Sequence, residues 1–255
     1  MGIMNLEVCV DSVESAVAAA QGGAERVELC SALSEGGITP STGLIGAVRQ
    51  AVGIHVFVII RPRGGDFVYS EAELRVMRRD ISAAKAQGVD GMVLGVLRKD
   101  HTVDRQRTRE LVELVRPMPV TFHRAFDVCK DPAGALEDVI ACGADRLLTA
   151  GGPADAMKGL HTIANLQHQG GDRIRIMAGG GIRIGNVRTI ALRTGVREVH
   201  SSLSTTVKST AYDGGVGANK LHGEFARFVV SESDVRAFKF ALQSIALEMG
   251  ARPPV

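Results

Sequence analysis

Apolar and polar positions follow two rhythms along this chain. Short runs rich in Val, Ile, Leu and Phe alternate with longer stretches in which apolar residues recur every three or four positions. The short runs are LEVCV at 6–10, RVELC at 26–30, VFVIIR at 56–61, GMVLGV at 91–96, PVTFHR at 119–124, RLLTA at 146–150, RIRIMA at 173–178 and REVHS at 197–201. They predict eight strands. Helices are predicted between them, with recognisable starts. Asp11-x-x-Glu14 and Ser70-x-x-Glu73 read as capping boxes, and Asp131-Pro132 as an N-cap followed by an N1 proline. Asp104 and Asn186 open two more helices.

One phrase recurs. GGAERVEL at 22–29, GVDGMVLG at 88–95, GADRLLTAG at 143–151 and GVREVHSS at 195–202 each place a glycine just ahead of a strand. The physical reading is a helix C-cap glycine and a tight turn into the next strand. Four copies of one such junction point to a repeated βα unit. Eight units without a reversal of order predict an α/β fold, a single (β/α)8 TIM barrel occupying residues 1–255 as one domain. An open doubly wound sheet is the alternative. Residues 203–224, with GGVGAN at 214–219, break the rhythm and predict an irregular, mobile flap before a last helix at about 231–249.

Side chains alternate across a strand, so parity assigns faces. Leu6, Val8 and Val10 suit a helix-facing side and turn Glu7 and Cys9 into the barrel; Val27 and Leu29 do the same for Glu28 and Cys30. The same rule turns Arg61, His123, Thr149, His200 and Ser202 inward, at or near the C-terminal strand ends where barrels of this kind carry their sites. His123, Arg124 and Asp127 follow one strand, and such groups are costly to bury unless they bond each other or a ligand. Glycine runs at 149–152 and 178–182 follow the sixth and seventh strands. There Gly179, Gly180 and Gly181 could present backbone N–H groups to an anion. Arg61 and Arg63 flank a turn and suit a carboxylate or phosphate clamp. His55, His101, His161, His168 and His222 fall outside the strand ends and read as surface residues.

Composition narrows the partners. The 30 basic and 28 acidic residues leave a net charge of +2, which gives no electrostatic reason to expect nucleic acid or an anionic membrane. No apolar run approaches the roughly 20 residues that span a bilayer. The opening MGIMNLEVCV lacks the features of a secretion signal. Cys9, Cys30, Cys129 and Cys142 show no C-x-x-C or zinc spacing, and so read as free thiols of a reducing cytoplasm.

EVCVDS at 7–12, GGAERVELCSALSEGG at 22–37, RPRGGDF at 61–67, TFHRAFD at 121–127, LLTAGG at 147–152 and AGGGI at 178–182 resemble the CutC family, from about residue 6 to about 205. Beyond Leu203 the resemblance fades, so the last segment reads as particular to this branch. The resemblance implies a cytoplasmic TIM barrel, a homo-oligomer, and a role in copper homeostasis with Cys9 and Cys30 as soft ligands for Cu(I). The residues also support a different class, an enzyme acting on a small anionic or phosphorylated metabolite. In that reading Glu7 or Glu28 is the general acid or base, with His123 or His200 beside it. Arg61, Arg124 and Asp127 then order the charge, and Thr149, Ser202 and the three glycines hold the ligand.

Overall fold

The computed structural model describes residues 3–152, 155–208 and 226–251. Among these, eight parallel strands close into one barrel: β1 (Asn5–Val10), β2 (Arg26–Leu29), β3 (His55–Ile59), β4 (Gly91–Leu94), β5 (Val120–Phe122), β6 (Arg146–Thr149), β7 (Arg175–Ala178) and β8 (Glu198–Ser201). β8 pairs back onto β1, with Glu7 opposite His200 on one side and Arg26 on the other. Helices α1 (Val13–Gln21), α2 (Thr42–Ala51), α3 (Glu71–Ala86), α4 (Arg105–Val115), α5 (Pro132–Ala141), α6 (Leu160–Gly170) and α7 (Val187–Thr194) alternate with the strands, and α8 (Glu232–Ala251) closes the ring. This is the (β/α)8 barrel that the two rhythms predict.

The observed strands stop one or two residues short of several predicted runs. Arg61 and His123 therefore sit in the loops just beyond β3 and β5, where side chains reach the barrel mouth. Ser70 and Glu73 form the expected reciprocal capping box, and Asp104 and Asp131 cap α4 and α5. The first cap differs. Ser12, not Asp11, accepts from the Ser15 amide, because α1 begins at Val13 and the cap must directly precede it. Asn186 stands at the N-cap of α7 but turns its side chain back, accepting from the Arg183 amide and donating to the Gly181 carbonyl. The recurring junctions carry left-handed glycines, Gly23, Gly88, Gly143 and Gly195, as a helix-to-strand turn requires.

Residues 203–224 are not irregular throughout. β9 (Ser204–Lys208) pairs antiparallel with β10 (Ala226–Val230), which leads into α8. The glycine-rich stretch at 214–219 and His222 lie outside the described residues.

Buried apolar residues divide into two clusters, as parity requires. The larger lies between strands and helices and includes Leu6, Val8, Val27, Leu29 and Val58; the smaller, inside the barrel, holds Cys9, Cys30, Phe57, Ile59 and Val93. Beneath the inner cluster the barrel is charged. Glu198 accepts from Arg26 at 3.0 Å and from Arg146 at 2.5 Å, and Arg26 also donates to Glu7. Both guanidiniums lie over the Phe57 ring, which fills space left open by Gly91; a Cβ there would come within 2.4 Å of the ring. Removing one partner from such a network leaves an uncompensated buried charge. Glu198→Gln is expected to cost about 3–5 kcal/mol, read as a lowered urea midpoint at constant slope. An unchanged midpoint would show that these ion pairs contribute nothing to the barrel.

Candidate functional site

The strand ends place their side chains around a cavity of about 370 Å³ at the C-terminal mouth of the barrel. One wall is built by β1, β2 and β8. Cys9 and Cys30 are both buried, with Sγ atoms 3.6 Å apart, and a Glu28 oxygen lies within 4.8 Å of both sulfurs. His200 connects this pair to the charged base: its Nδ1 lies 2.7 Å from Glu7 Oε1 and its Nε2 lies 3.7 Å from Glu28 Oε2.

Protonation follows from this packing. Burial opposes ionisation of Glu7, but Arg26 and His200 outweigh it and hold the carboxyl well below its usual range. Burial disfavours an imidazolium at His200 too, yet Cys9, Glu7 and Glu28 together raise its pKa well above 6.5. The hydrogen bond with Cys30 brings the Cys9 thiol down to about 6, against burial and with help from His200. Cys30 moves the opposite way as the donor, and Glu28 is pushed up by burial and by the neighbouring Cys9. Near neutral pH the lowered Cys9 is the thiolate of the pair and Cys30 keeps its proton, with the raised His200 beside them.

The opposite wall is built by the loops after β3 and β5. Arg61 is buried and donates to three backbone carbonyls, those of Glu35, Gly37 and Gly65, while its guanidinium packs over Phe67. His123 accepts from the Ala125 amide through Nδ1 and packs against the Phe67 and Phe122 rings. Burial and the nearby Arg61 lower its pKa to about 3. The imidazole is thus neutral at pH 7, and with Nδ1 accepting, Nε2 carries the proton.

Most residues singled out by parity meet here. Cys9, Glu28, Cys30, Arg61, His123, Arg124, Gly180, Gly181, His200 and Ser202 line the cavity, and Glu7 supports it from below. Gly179 underlies it; a Cβ there would lie 2.5 Å from Leu148 and 3.3 Å from His200. Thr149 and Asp127 do not join them. Arg146 and Leu148 occupy the inward positions of β6, so Thr149 faces the other way. Its hydroxyl bonds Asp127 at 2.5 Å, and Asp127 also accepts from the Ala150 and Gly152 amides and from Arg124. That carboxylate braces two loops and is turned from the cavity. Sequence reasoning passed over Arg26, Arg146 and Glu198, although each lies two residues before an inward position and shares its parity. It also passed over Arg183, which reaches the mouth from the glycine loop. His55, His101, His161 and His168 are exposed, as expected.

The sequence profile of the CutC family matches residues 4–205. A mouse protein named copper homeostasis protein cutC homolog is 48% identical over 235 residues, spanning 91% of this chain and 86% of its own. The human protein of that name is 46% identical over 244 residues, 94% of this chain and 89% of its own. A crystal structure of a CutC protein from Streptococcus agalactiae has a TM-score of 0.75 at 34% identity, covering 78% of this chain and 99% of that one. An alignment spanning 94% of the chain must run well past residue 205, so the last segment is shared with relatives rather than particular to this branch.

The buried His123 gives a signed pH dependence. Between its folded value of about 3 and the ordinary 6.5, the unfolded chain binds a proton that the fold does not. Stability from this group is complete above 6.5 and falls as pH drops toward 3. The loss is about 2 kcal/mol at pH 5. His123→Asn, which keeps an acceptor for the Ala125 amide, is expected to flatten that part of the slope. Urea unfolding of both proteins at pH 7 and pH 5 checks this; identical slopes would mean that His123 is protonated in the fold.

Proposed function

The chain belongs to the CutC family, and from that premise we propose that it acts in copper homeostasis, holding Cu(I) as cargo between Cys9 and Cys30. The observation that carries this reading is the sulfur pair. With metal–sulfur bonds of about 2.3 Å, as in zinc thiolates, sulfurs 3.6 Å apart subtend roughly 100° at a shared ion. That is a bent arrangement with room for a third donor, and Glu28 is the group beside both sulfurs. Soft thiolates favour Cu(I) over harder divalent ions.

Charge balance supports the same ion. The buried cations Arg26, Arg146 and His200 face the buried anions Glu7, Glu198 and Cys9, and these cancel. Binding Cu(I) in exchange for the Cys30 thiol proton leaves the sum unchanged. A divalent ion adds a positive charge that must be offset by the loss of a further proton. A desolvated surplus charge is costly, so the wall discriminates by charge as well as by softness.

This reading requires a reducing compartment in which the cysteines remain thiols, and the cytoplasm is our proposal for it. All four cysteines are free, and among the described residues no helix is long and apolar enough to cross a membrane. A single domain over 1–255 and assembly into a homo-oligomer belong to the same proposal.

An anaerobic Cu(I) titration against a competing chelator tests it. The expected result is one Cu(I) per chain, with affinity lowered at least about a hundredfold in Cys9→Ser/Cys30→Ser, some 3 kcal/mol. Zinc(II) in excess is expected to leave the occupancy unchanged. Binding indifferent to the two thiols would sink the assignment.

A further inference from the structure

The thiol wall balances its own charge; the facing wall does not. Arg61 is 4% exposed and makes no ion pair among the described residues, its bonds going to neutral carbonyls. A buried guanidinium without a counter-ion is an unusual expense. Beside it, His123 is also 4% exposed, and its Nε2 has no partner. The ring is held on its other sides. Its Nδ1 edge meets the Ala125 amide and Gly95, where a Cβ would come within 2.8 Å, and Phe67 and Phe122 pack against it. His123 lines the cavity, and its buried Nε2–H is the one ring polar group left without a partner. Buried donors are nearly always satisfied in native proteins, so an orphan in a cavity wall points to an acceptor supplied from outside.

A third feature agrees. Arg183, exposed at the rim, also makes no ion pair among the described residues; its Nη1 donates to the Ile182 carbonyl. The cavity thus presents two guanidiniums without carboxylate partners, and one neutral N–H. Between them the lining is apolar, with Leu33, Ile59, Phe67, Leu148 and Phe228. A volume of about 370 Å³ lies at the small end of metabolite sites.

We infer that this cavity binds a small organic anion. Its oxyanion group, a carboxylate or a phosphate ester, takes the charge of Arg61 and the Nε2–H of His123, with Arg183 closing over it and its carbon body on the apolar wall. The inference names a ligand class for the half of the mouth that copper leaves unused, and it does not depend on the copper reading.

Three probes with one apolar body separate the chemistry: butyrate, butyl phosphate and neutral butanol, each added to metal-free, reduced protein at constant ionic strength. The readouts are the His123 imidazole resonances by NMR and the thermal midpoint. At least one anion is expected to shift the His123 signals saturably at millimolar concentration and to raise the midpoint, while butanol does neither. Which anion binds more tightly tells carboxylate from phosphate. His123→Asn keeps the acceptor for Ala125 and deletes the orphan donor, and is expected to weaken anion binding roughly tenfold. Arg183→Ala, an exposed change that leaves the core intact, is expected to weaken it as well. The anion titrations use metal-free, reduced protein, so failure of the copper reading leaves this one standing. Equal responses to butanol and the anions, no saturable shift with either anion, or anion binding unaltered in both His123→Asn and Arg183→Ala would each overturn the inference.

Discussion

The carboxylate of Glu7 is the group on which the barrel interior turns. It is wholly buried, held between Arg26 below and His200 at 2.7 Å above. An ionised carboxylate in that position is tolerable only with partners on both sides. Its neighbours on the adjoining strands, Arg26 on β2 and His200 on β8, supply them through the register of the closed barrel. The Cys30 hydrogen bond and the neighbouring His200 then favour a thiolate at Cys9, while Cys30 keeps its proton. The state of the mouth is therefore tied to ion pairs that run from His200 at the cavity down to the charged base.

Such an interior is a poor way to gain stability. Buried ion pairs replaced by well-packed apolar residues of similar volume are often neutral or stabilising. The outer shell, where Leu6, Val8, Val27 and Leu29 meet the helices, shows that this chain packs aliphatic layers where it needs only cohesion. The charged core of Arg26, Glu198, Arg146, Glu7 and His200 is best understood as the fixed electrostatic frame of the two sulfurs. The same frame explains the glycines that admit it. Gly91 makes room for the Phe57 ring under both guanidiniums, and Gly179 lets the chain leaving β7 pass between Leu148 and His200.

Much of this was legible in the chain. Period-two alternation in LEVCV and RVELC placed Glu7, Cys9, Glu28 and Cys30 inside, because a parallel barrel strand must show one face to helices. What parity could not supply was where each strand ends and which neighbour a side chain meets. Thr149 was misplaced because RLLTA offers two consistent phases, and only the partners of Arg146 and Leu148 select one. Asp11 lost its cap to Ser12 because a single-residue shift of the helix start is invisible in a run with polar residues at both positions. Asp127 looked like a site residue because its type suits chemistry; its four hydrogen-bond partners come from residues 124 to 152, a loop closure that no local pattern announces. Proton placement was further out of reach, since it depends on three strands at once.

The two walls of the mouth solve different electrostatic problems, and this bears on whether they can be filled together. The thiol wall is neutral as it stands, and exchange of a thiol proton for a monovalent cation keeps it so. The Arg61 wall carries an uncancelled positive charge that an anion would neutralise. Filling the thiol wall adds no net charge and filling the Arg61 wall removes one, so simultaneous occupancy is electrostatically permitted within one cavity. Arg61 is already pinned by the carbonyls of Glu35, Gly37 and Gly65, and His123 by the Ala125 amide and two aromatic rings. Neither has to be reordered when a ligand arrives, so the entropy of positioning them is spent in folding rather than in binding.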